Sequence, residues 1–460
     1  MKTNNIITGA VAVLLLFMTT SCGIYNKYKT PTDTALTKAY VEARQATEDD
    51  TTSFGNLRWE DVFTDPVLVD YINRALANNI TLDDARLNVE LAKTQLKGAR
   101  LAFFPSVALA PNGAGASYAG SSMSWTYNIQ MNVSWEIDIF GKLLNSKRSA
   151  QVGVEAAEDY AQAVRSQIIA GVANTYYAIA SVESQLALAR NTATLWEKSV
   201  QTMQDMFDAG RTNKAAIVQF EASYQSVLAS ITDLEITRTK LYNTMSILIG
   251  TLPQECPVAK DATLRVPEIF VPGVPMHYLA NRPDVNAAER GLATAFYATN
   301  SARAAFYPGL TITANGGFTN LLGSFIKNPG DWFIQLAGSL AAPLFSRGQN
   351  IARLEAAKIS QQKAMNTFES TVLSAASEVS EALTTYEKAG ERAGYVTKQV
   401  EALQESVTIT NDLMVYSNGT YLEVLTAQQS LLQAQMNLLA CQLTRAQAVI
   451  NLYQAMGGGR

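Results

Sequence analysis

Polar and apolar side chains alternate without a fault through TYNIQMNVSWEIDI at residues 126–139. Thr126, Asn128, Gln130, Asn132, Ser134, Glu136 and Asp138 fall on one side of the strand this period predicts, and Tyr127, Ile129, Met131, Val133, Trp135, Ile137 and Ile139 on the other. Strands of soluble sheets usually run about five or six residues, whereas membrane-barrel strands run about nine to eleven with an apolar outer and a polar inner face. Trp125 joins the apolar face ten residues before Trp135. At about 3.3 Å per residue and a tilt near 40°, the two indoles stand roughly 25 Å apart along a membrane normal, the height of the band between aromatic girdles. The pattern predicts a lipid-facing row of Trp125, Tyr127, Ile129, Met131, Val133 and Trp135. The lumen-facing row is then Asn128, Gln130, Asn132, Glu136 and Asp138.

A partner strand is expected at about 104–118, before this strand at about 124–140, and a less regular pair at about 308–320 and 331–345. Elsewhere the pattern is helical. Proline is absent from 112–252 and from 344–460, while six of the thirteen prolines crowd between 253 and 283. Because proline breaks helix interiors, the empty stretches predict long helices and the cluster an irregular link. The same landmarks then recur. ARLAFFPSVAL at 99–109 returns as ARAAFYPGLTI at 302–312, IDIFGK at 137–142 as APLFSR at 342–347, MFDAG at 206–210 as VYSNG at 415–419, and SILIG at 246–250 as YQAMG at 453–457. Offsets of 203, 205, 209 and 207 residues mark a duplication.

Each half reads helix, two strands, long helix, tight turn, helix. The long helices are expected at about 145–207 and 349–415, and at 1.5 Å per residue each is roughly 90–100 Å long. The helices that follow, about 213–250 and 421–456, carry heptad seams. One runs Ile217, Phe220, Tyr224, Val227, Ile231, Leu234, Arg238, Leu241, Met245 and Leu248; the other runs from Leu422 and Leu425 through Gln429 to Ile450 and Tyr453. Steps of three and four with one polar exception in each predict coiled-coil packing, since no globular core covers a helix of such length. Four strands per chain cannot close a barrel, and bare edges are not tolerated in lipid. Closure therefore requires copies. Two chains would supply eight strands and three would supply twelve.

The first residues change the picture of where this happens. MKTNN followed by IITGAVAVLLLFM and TTSC has the build of an export signal, over 1–21, ending at Cys22. It resembles the lipobox of a bacterial lipoprotein, with Thr19 where Leu is usual, so Cys22 is expected to carry lipid. Residues 22–62 then form a lipidated N-terminal extension, 63–252 the first repeat, 253–280 a Pro-rich linker and 281–460 the second repeat. A formal net charge of −4 without a basic run excludes a nucleic-acid partner. With Cys256 and Cys441 the only other cysteines and His277 the only histidine, neither a disulfide framework nor a metal site is expected. No nucleophile elbow, zinc-protease or phosphate-loop motif appears, and no enzyme or cofactor is expected.

NRPDVNAAE (281–289), ARAAFYPGLTI, WEIDIFGK, APLFSRGQN and YLEVLTAQQSLLQAQ (421–435) together resemble the signature segments of TolC-like outer-membrane efflux proteins, in particular the lipoprotein branch serving resistance-nodulation-division pumps. The resemblance covers almost the whole mature chain. It implies a mainly α fold with a membrane β-barrel: a homotrimer with a 12-stranded outer-membrane barrel, a long α-helical periplasmic barrel and a mixed equatorial region holding the linker. It implies a passive exit duct for drugs or other small molecules, partnered by a periplasmic adaptor, an inner-membrane resistance-nodulation-division transporter and outer-membrane lipids. The two turns become periplasmic tips, where Gly210, and Asn418 with Gly419, suit a left-handed backbone. Family members narrow the closed tunnel with rings of acidic side chains just past the tip. Glu423 matches such a position, with Asp205 and Asp208 as further constriction candidates, while Thr426 stands where Asp is frequent. Pro283 and Asp284 read as a helix start instead.

Three other readings compete. A channel for protein secretion driven by an ABC transporter would share the fold. A trimeric surface adhesin also pools four strands per chain, but those strands are consecutive and end the chain. A soluble periplasmic coiled-coil scaffold has no use for the two-faced strand.

Overall fold

The computed structural model describes residues 24–47, 57–117, 119–259, 277–280, 282–319, 331–343, 346–416 and 420–459. The expected signal segment, Cys22, Asn418, Gly419 and most of the 253–280 linker lie outside them. The chain divides into two compact units: one of residues 1–37, 87–159 and 286–370, the other of 38–86, 160–285 and 371–460.

In the first unit β1 (Ser106–Ala116), β2 (Ser124–Ile137), β3 (Gly309–Thr319) and β4 (Asp331–Ala341) form one antiparallel sheet in the order β1-β2-β3-β4. Both ends of β2 differ from its hydrophobic pattern for a local reason. The alternation continues to Ile139, yet the strand stops at Ile137 because the Asp138 carboxylate turns to accept the Leu144 N–H at 2.7 Å. Gly141, with φ +70°, then redirects the chain into the next helix. That helix start is tied to the N-terminal segment. Asn145, fully buried, donates to the carbonyls of Ile24 (2.9 Å) and Gly141 (2.7 Å), and Tyr25 donates to the Ile139 carbonyl. Phe140 stacks on Tyr307 with ring centroids 5.0 Å apart, joining the two repeats.

The N-terminal extension, to which the sequence pattern assigns no elements, contains α1 (Ala35–Thr47) and α2 (Trp59–Val62). They precede α3 (Pro66–Asn78) and α4 (Ile80–Leu101). The two longest helices, α5 (Lys142–Asp208, 67 residues) and α9 (Gln349–Tyr416, 68 residues), each contribute to both units. The rest are α6 (Lys214–Leu248), α7 (His277–Ala280), α8 (Pro283–Ala304) and α10 (Tyr421–Ala455).

The main core of the second unit gathers Trp59, Phe63, Leu68, Tyr71 and Ile72 against Ile169, Val172, Tyr176 and Ile179 of α5, with Met245, Ile249, Ile450 and Tyr453. Several of its polar groups find partners within it, although the buried Trp59 indole N–H has none among the described residues. Asp65 caps α3 by accepting the Val67 N–H (2.9 Å) and also accepts the Tyr176 hydroxyl (2.6 Å). Cys256 and Cys441 are buried free thiols. Burial pushes the phenols of Tyr71 and Tyr242 up to about 12, and for Tyr242 the bond it donates to Glu183 (2.9 Å) adds to the shift. A phenol held neutral by the fold contributes stability that is intact below the ordinary value of 10.0 and lost as pH rises toward 12. Unfolding midpoints should therefore be flat up to about pH 9 and fall through pH 10–12, a loss that Tyr242→Phe reduces.

The heptad seams are only partly the buried faces. On α6, Phe220, Val227 and Met245 are buried as the seam requires, but Ala216, Ser223 and Ser246 are buried beside them. Both polar exceptions find partners: Arg238 reaches Glu183 at 3.5 Å, and Gln429 donates to Ser223 at 2.9 Å. At the start of α10 the seam is displaced. Leu422 is exposed, and Val424 and Leu425 enter the core with Tyr421 packed against it. The contact face there follows the i, i+3, i+4 rows of a single turn instead of the longer heptad average.

Three helix ends share one design. Gly210, Gly250 and Gly457 have φ of +69°, +69° and +85°. Each is followed by a residue whose N–H reaches back five positions: Arg211 to Met206 (2.8 Å), Thr251 to Ser246 (2.8 Å) and Gly458 to Tyr453 (3.0 Å). The glycine N–H in each case bonds three back, which completes a Schellman cap.

Candidate functional site

Register decides what the sheet can do. Residues directly opposite across antiparallel strands point to the same face. Along one row Ala108 pairs with Asn132, which pairs with Asn315, which pairs with Gln335. Other rows on that face hold Ser106, Ser134 and Thr313, or Asn112, Asn128 and Thr319. The intervening rows link Leu109, Met131, Gly316 and Ile334, or Val107, Val133, Ala314 and Leu336. All four strands thus carry their large apolar residues on one face, and their polar residues, interspersed with alanines and glycines, on the other. Phe333, opposite Gly317, is the one large apolar residue of the paired positions on the polar face.

The apolar face is uncovered. Leu109, Met131, Trp332, Ile334 and Leu336 are 68, 51, 72, 77 and 75% exposed. A patch of this extent and continuity is foreign to a soluble surface and is what a lipid-facing sheet presents. Trp125, Ile129 and Trp135 belong to it as exposed residues, while Tyr127 and Val133 are half-buried; Trp135 also donates its indole N–H to the Phe103 carbonyl at 2.9 Å. On the polar face, Asn128, Gln130 and Asn132 are half-buried, and Asn128 donates to Gln130 at 3.1 Å. Glu136 pairs with Lys142 at 2.8 Å, and Asp138 serves as the helix cap already described. Both carboxylates are therefore engaged locally.

At the α5–α6 turn, Gly210 has the left-handed backbone, and Asn213 caps α6 by accepting the Ala216 N–H at 3.1 Å. Asp205 and Asp208 are exposed and accept from Gln201 (2.9 Å) and Gln204 (3.0 Å) of their own helix. Glu423 is exposed in the first turn of α10, where a carboxylate is favoured by the helix dipole. Under this turn Trp196, Met203, Phe220, Met414, Val424 and Leu425 form a core drawn from four helices.

Arg282 was legible only as the residue before a helix start. In the structure it is buried and ties three elements together. It donates to Asp284 (2.7 Å), to Glu378 on α9 (2.7 Å) and to the Ala455 carbonyl at the end of α10 (3.0 Å).

The described helices contain none long and apolar enough to cross a membrane. The duplicated helix–hairpin plan instead matches the family model described as outer membrane efflux protein, over residues 71–251 and 274–458. The chain belongs to the outer membrane efflux protein family. It is 28% identical over 421 residues to the probable outer membrane lipoprotein SilC of Salmonella typhimurium, covering 88% of this chain and 89% of that one. The cation efflux system protein CusC of Escherichia coli K12 is 27% identical over 422 residues, 88% of this chain and 90% of its own. A solved CusC structure superposes with a TM-score of 0.82 at 25% identity, covering 88% of this chain and 95% of that one. The open-state MtrE outer membrane channel of Neisseria gonorrhoeae does so with 0.77 at 30% identity, covering 88% and 92%. The efflux-family chain described here accordingly has the combined α-barrel and β-barrel fold, resides in the outer membrane and is the exit duct of a tripartite efflux system. Members of its family are channel proteins, not enzymes.

Proposed function

We propose that three copies of the chain close one twelve-stranded barrel, with the Leu109–Met131–Ile334 face against lipid and the Asn132–Asn315–Gln335 face lining a hydrated lumen. The observation that carries this reading is the four-strand register, which keeps an uncovered apolar face opposite a polar one while leaving β1 and β4 as edges. Edges in hydrocarbon are too costly to persist, so copies must pair them. The duct conducts passively and does no chemistry of its own. Drugs or other small molecules are delivered to it by a periplasmic adaptor and an inner-membrane resistance-nodulation-division pump, which supplies the energy and most of the selectivity. Lipid on Cys22 adds a second membrane attachment.

The turns at 209–213 and after Tyr416 form the periplasmic tip in this reading, with Glu423 as the constriction carboxylate. Support comes from its exposure at a helix start, where no core contact claims it. Glu423→Ala is expected to raise basal conductance and weaken block by multivalent cations in planar bilayers. Unchanged leak and unchanged block would remove Glu423 from the constriction. Because Glu136 and Asp138 are locally engaged, the cation preference that bare carboxylates would give the lumen is expected to be slight. Reversal potentials in a salt gradient measure it.

A further inference from the structure

In the first unit, α4 carries two faces, and the chain itself uses only one of them. Val89 and Leu96 are buried. On the opposite side Leu87, Leu91, Thr94, Gly98 and Leu101 recur at steps of four and three, the spacing of a coiled-coil seam. All five are exposed, the three leucines by more than half. Gly98 adds an independent sign. A glycine inside a helix costs stability relative to alanine, yet a Cβ there would meet nothing within 4 Å, so no contact among the described residues accounts for it. A missing side chain matters where another helix comes close, because the side chains at the contact set the distance between packed helix axes.

A matching face lies on α9. Phe368 is buried, whereas Ala352, Ala356 and Ile359, again at steps of four and three, are exposed. Connectivity decides which surfaces meet. α4 leads into β1 and β4 leads into α9, and β1 and β4 are the two edges of the sheet. Pairing β4 of one copy with β1 of the next therefore brings α9 of the first beside α4 of the second, running antiparallel. Leu91 and Ile359 each lie ten residues from the sheet-side end of their helix, and Gly98 and Ala352 each lie three. Equal levels thus set leucine against isoleucine and glycine against alanine. We infer that this row of α4 is an interface for a second copy of the chain, whose α9 packs on it through Ala352, Ala356 and Ile359 with the closest approach at Gly98. The inference rests on the shared-barrel reading and names the helical seam that continues each junction between copies.

The test introduces Leu91→Cys and Ile359→Cys together into the full chain, purified in detergent and treated with a short bis-maleimide. Bands of two and three linked chains should appear on a denaturing gel. They should be absent from the parent protein and from either single variant, in which each seam offers only one of the two thiols. Cys256 and Cys441 are buried and common to all four proteins, so their background is shared. Gly98→Leu should lower the share of trimers in the native mass spectrum with helical content unchanged, and Gly98→Ala should lower it less. Missing bands in a particle of trimer mass, or trimers as abundant in Gly98→Leu as in the parent, overturn the seam and leave the barrel reading standing. A particle of monomer mass removes both.

Discussion

Met131→Arg is expected to cost roughly 2–4 kcal/mol and to prevent assembly in the outer membrane, whereas Asn132→Arg, the next residue, is expected to assemble and change conductance. The argument is one of facing. Met131 lies in a row with Leu109, Gly316 and Ile334, and Asn132 in a row with Ala108, Asn315 and Gln335. A guanidinium in the first row must be desolvated near the bilayer midplane, while in the second it stays in water. Heat-resistant oligomers in outer-membrane fractions report the first variant, and single-channel currents the second. Equal tolerance of both would mean that the faces are assigned wrongly.

Gly250→Ala is expected to destabilise the second unit by about 3–5 kcal/mol, against about 1–2 kcal/mol for Gly210→Ala. Both glycines have φ +69° and both complete a Schellman cap, so the backbone penalty is the same. Their surroundings differ. A Cβ on Gly210 would meet nothing within 4 Å, but one on Gly250 would lie 2.4 Å from the Asn78 carbonyl oxygen. That atom is backbone at the end of α3, next to Asn79, whose side chain donates to the Leu248 carbonyl at 2.9 Å. It cannot rotate away, so either α3 or α6 must shift. Denaturant midpoints of the two variants measure the gap, and a gap below about 1 kcal/mol would mean that the helices give way easily.

Periodic features were legible in the sequence because their physics is local. Alternation over Thr126–Asp138 and the absence of proline each report a backbone conformation residue by residue, and the recurrence of landmarks reported the duplication. The pairing of β2 with β3 was not legible, since strands some 180 residues apart leave no mark on each other's periodicity. β4 is less regular because Phe333 sits on the polar face, opposite the side-chain-free Gly317. Ends of elements escaped for a different reason. Asp138 belongs to the strand by pattern and to the helix by hydrogen bond, and only the structure decides between them. The same holds for Leu422, in phase with its heptad yet exposed, and for Arg282, whose partners on α9 and α10 lie far along the chain.

The most direct measurement is the mass of the detergent-extracted mature particle, read by native mass spectrometry. A shared twelve-stranded barrel requires three copies, since each chain supplies four strands, in a complex that falls apart or aggregates when detergent is withdrawn. A single well-behaved chain, indifferent to detergent and to lipid vesicles, would contradict it.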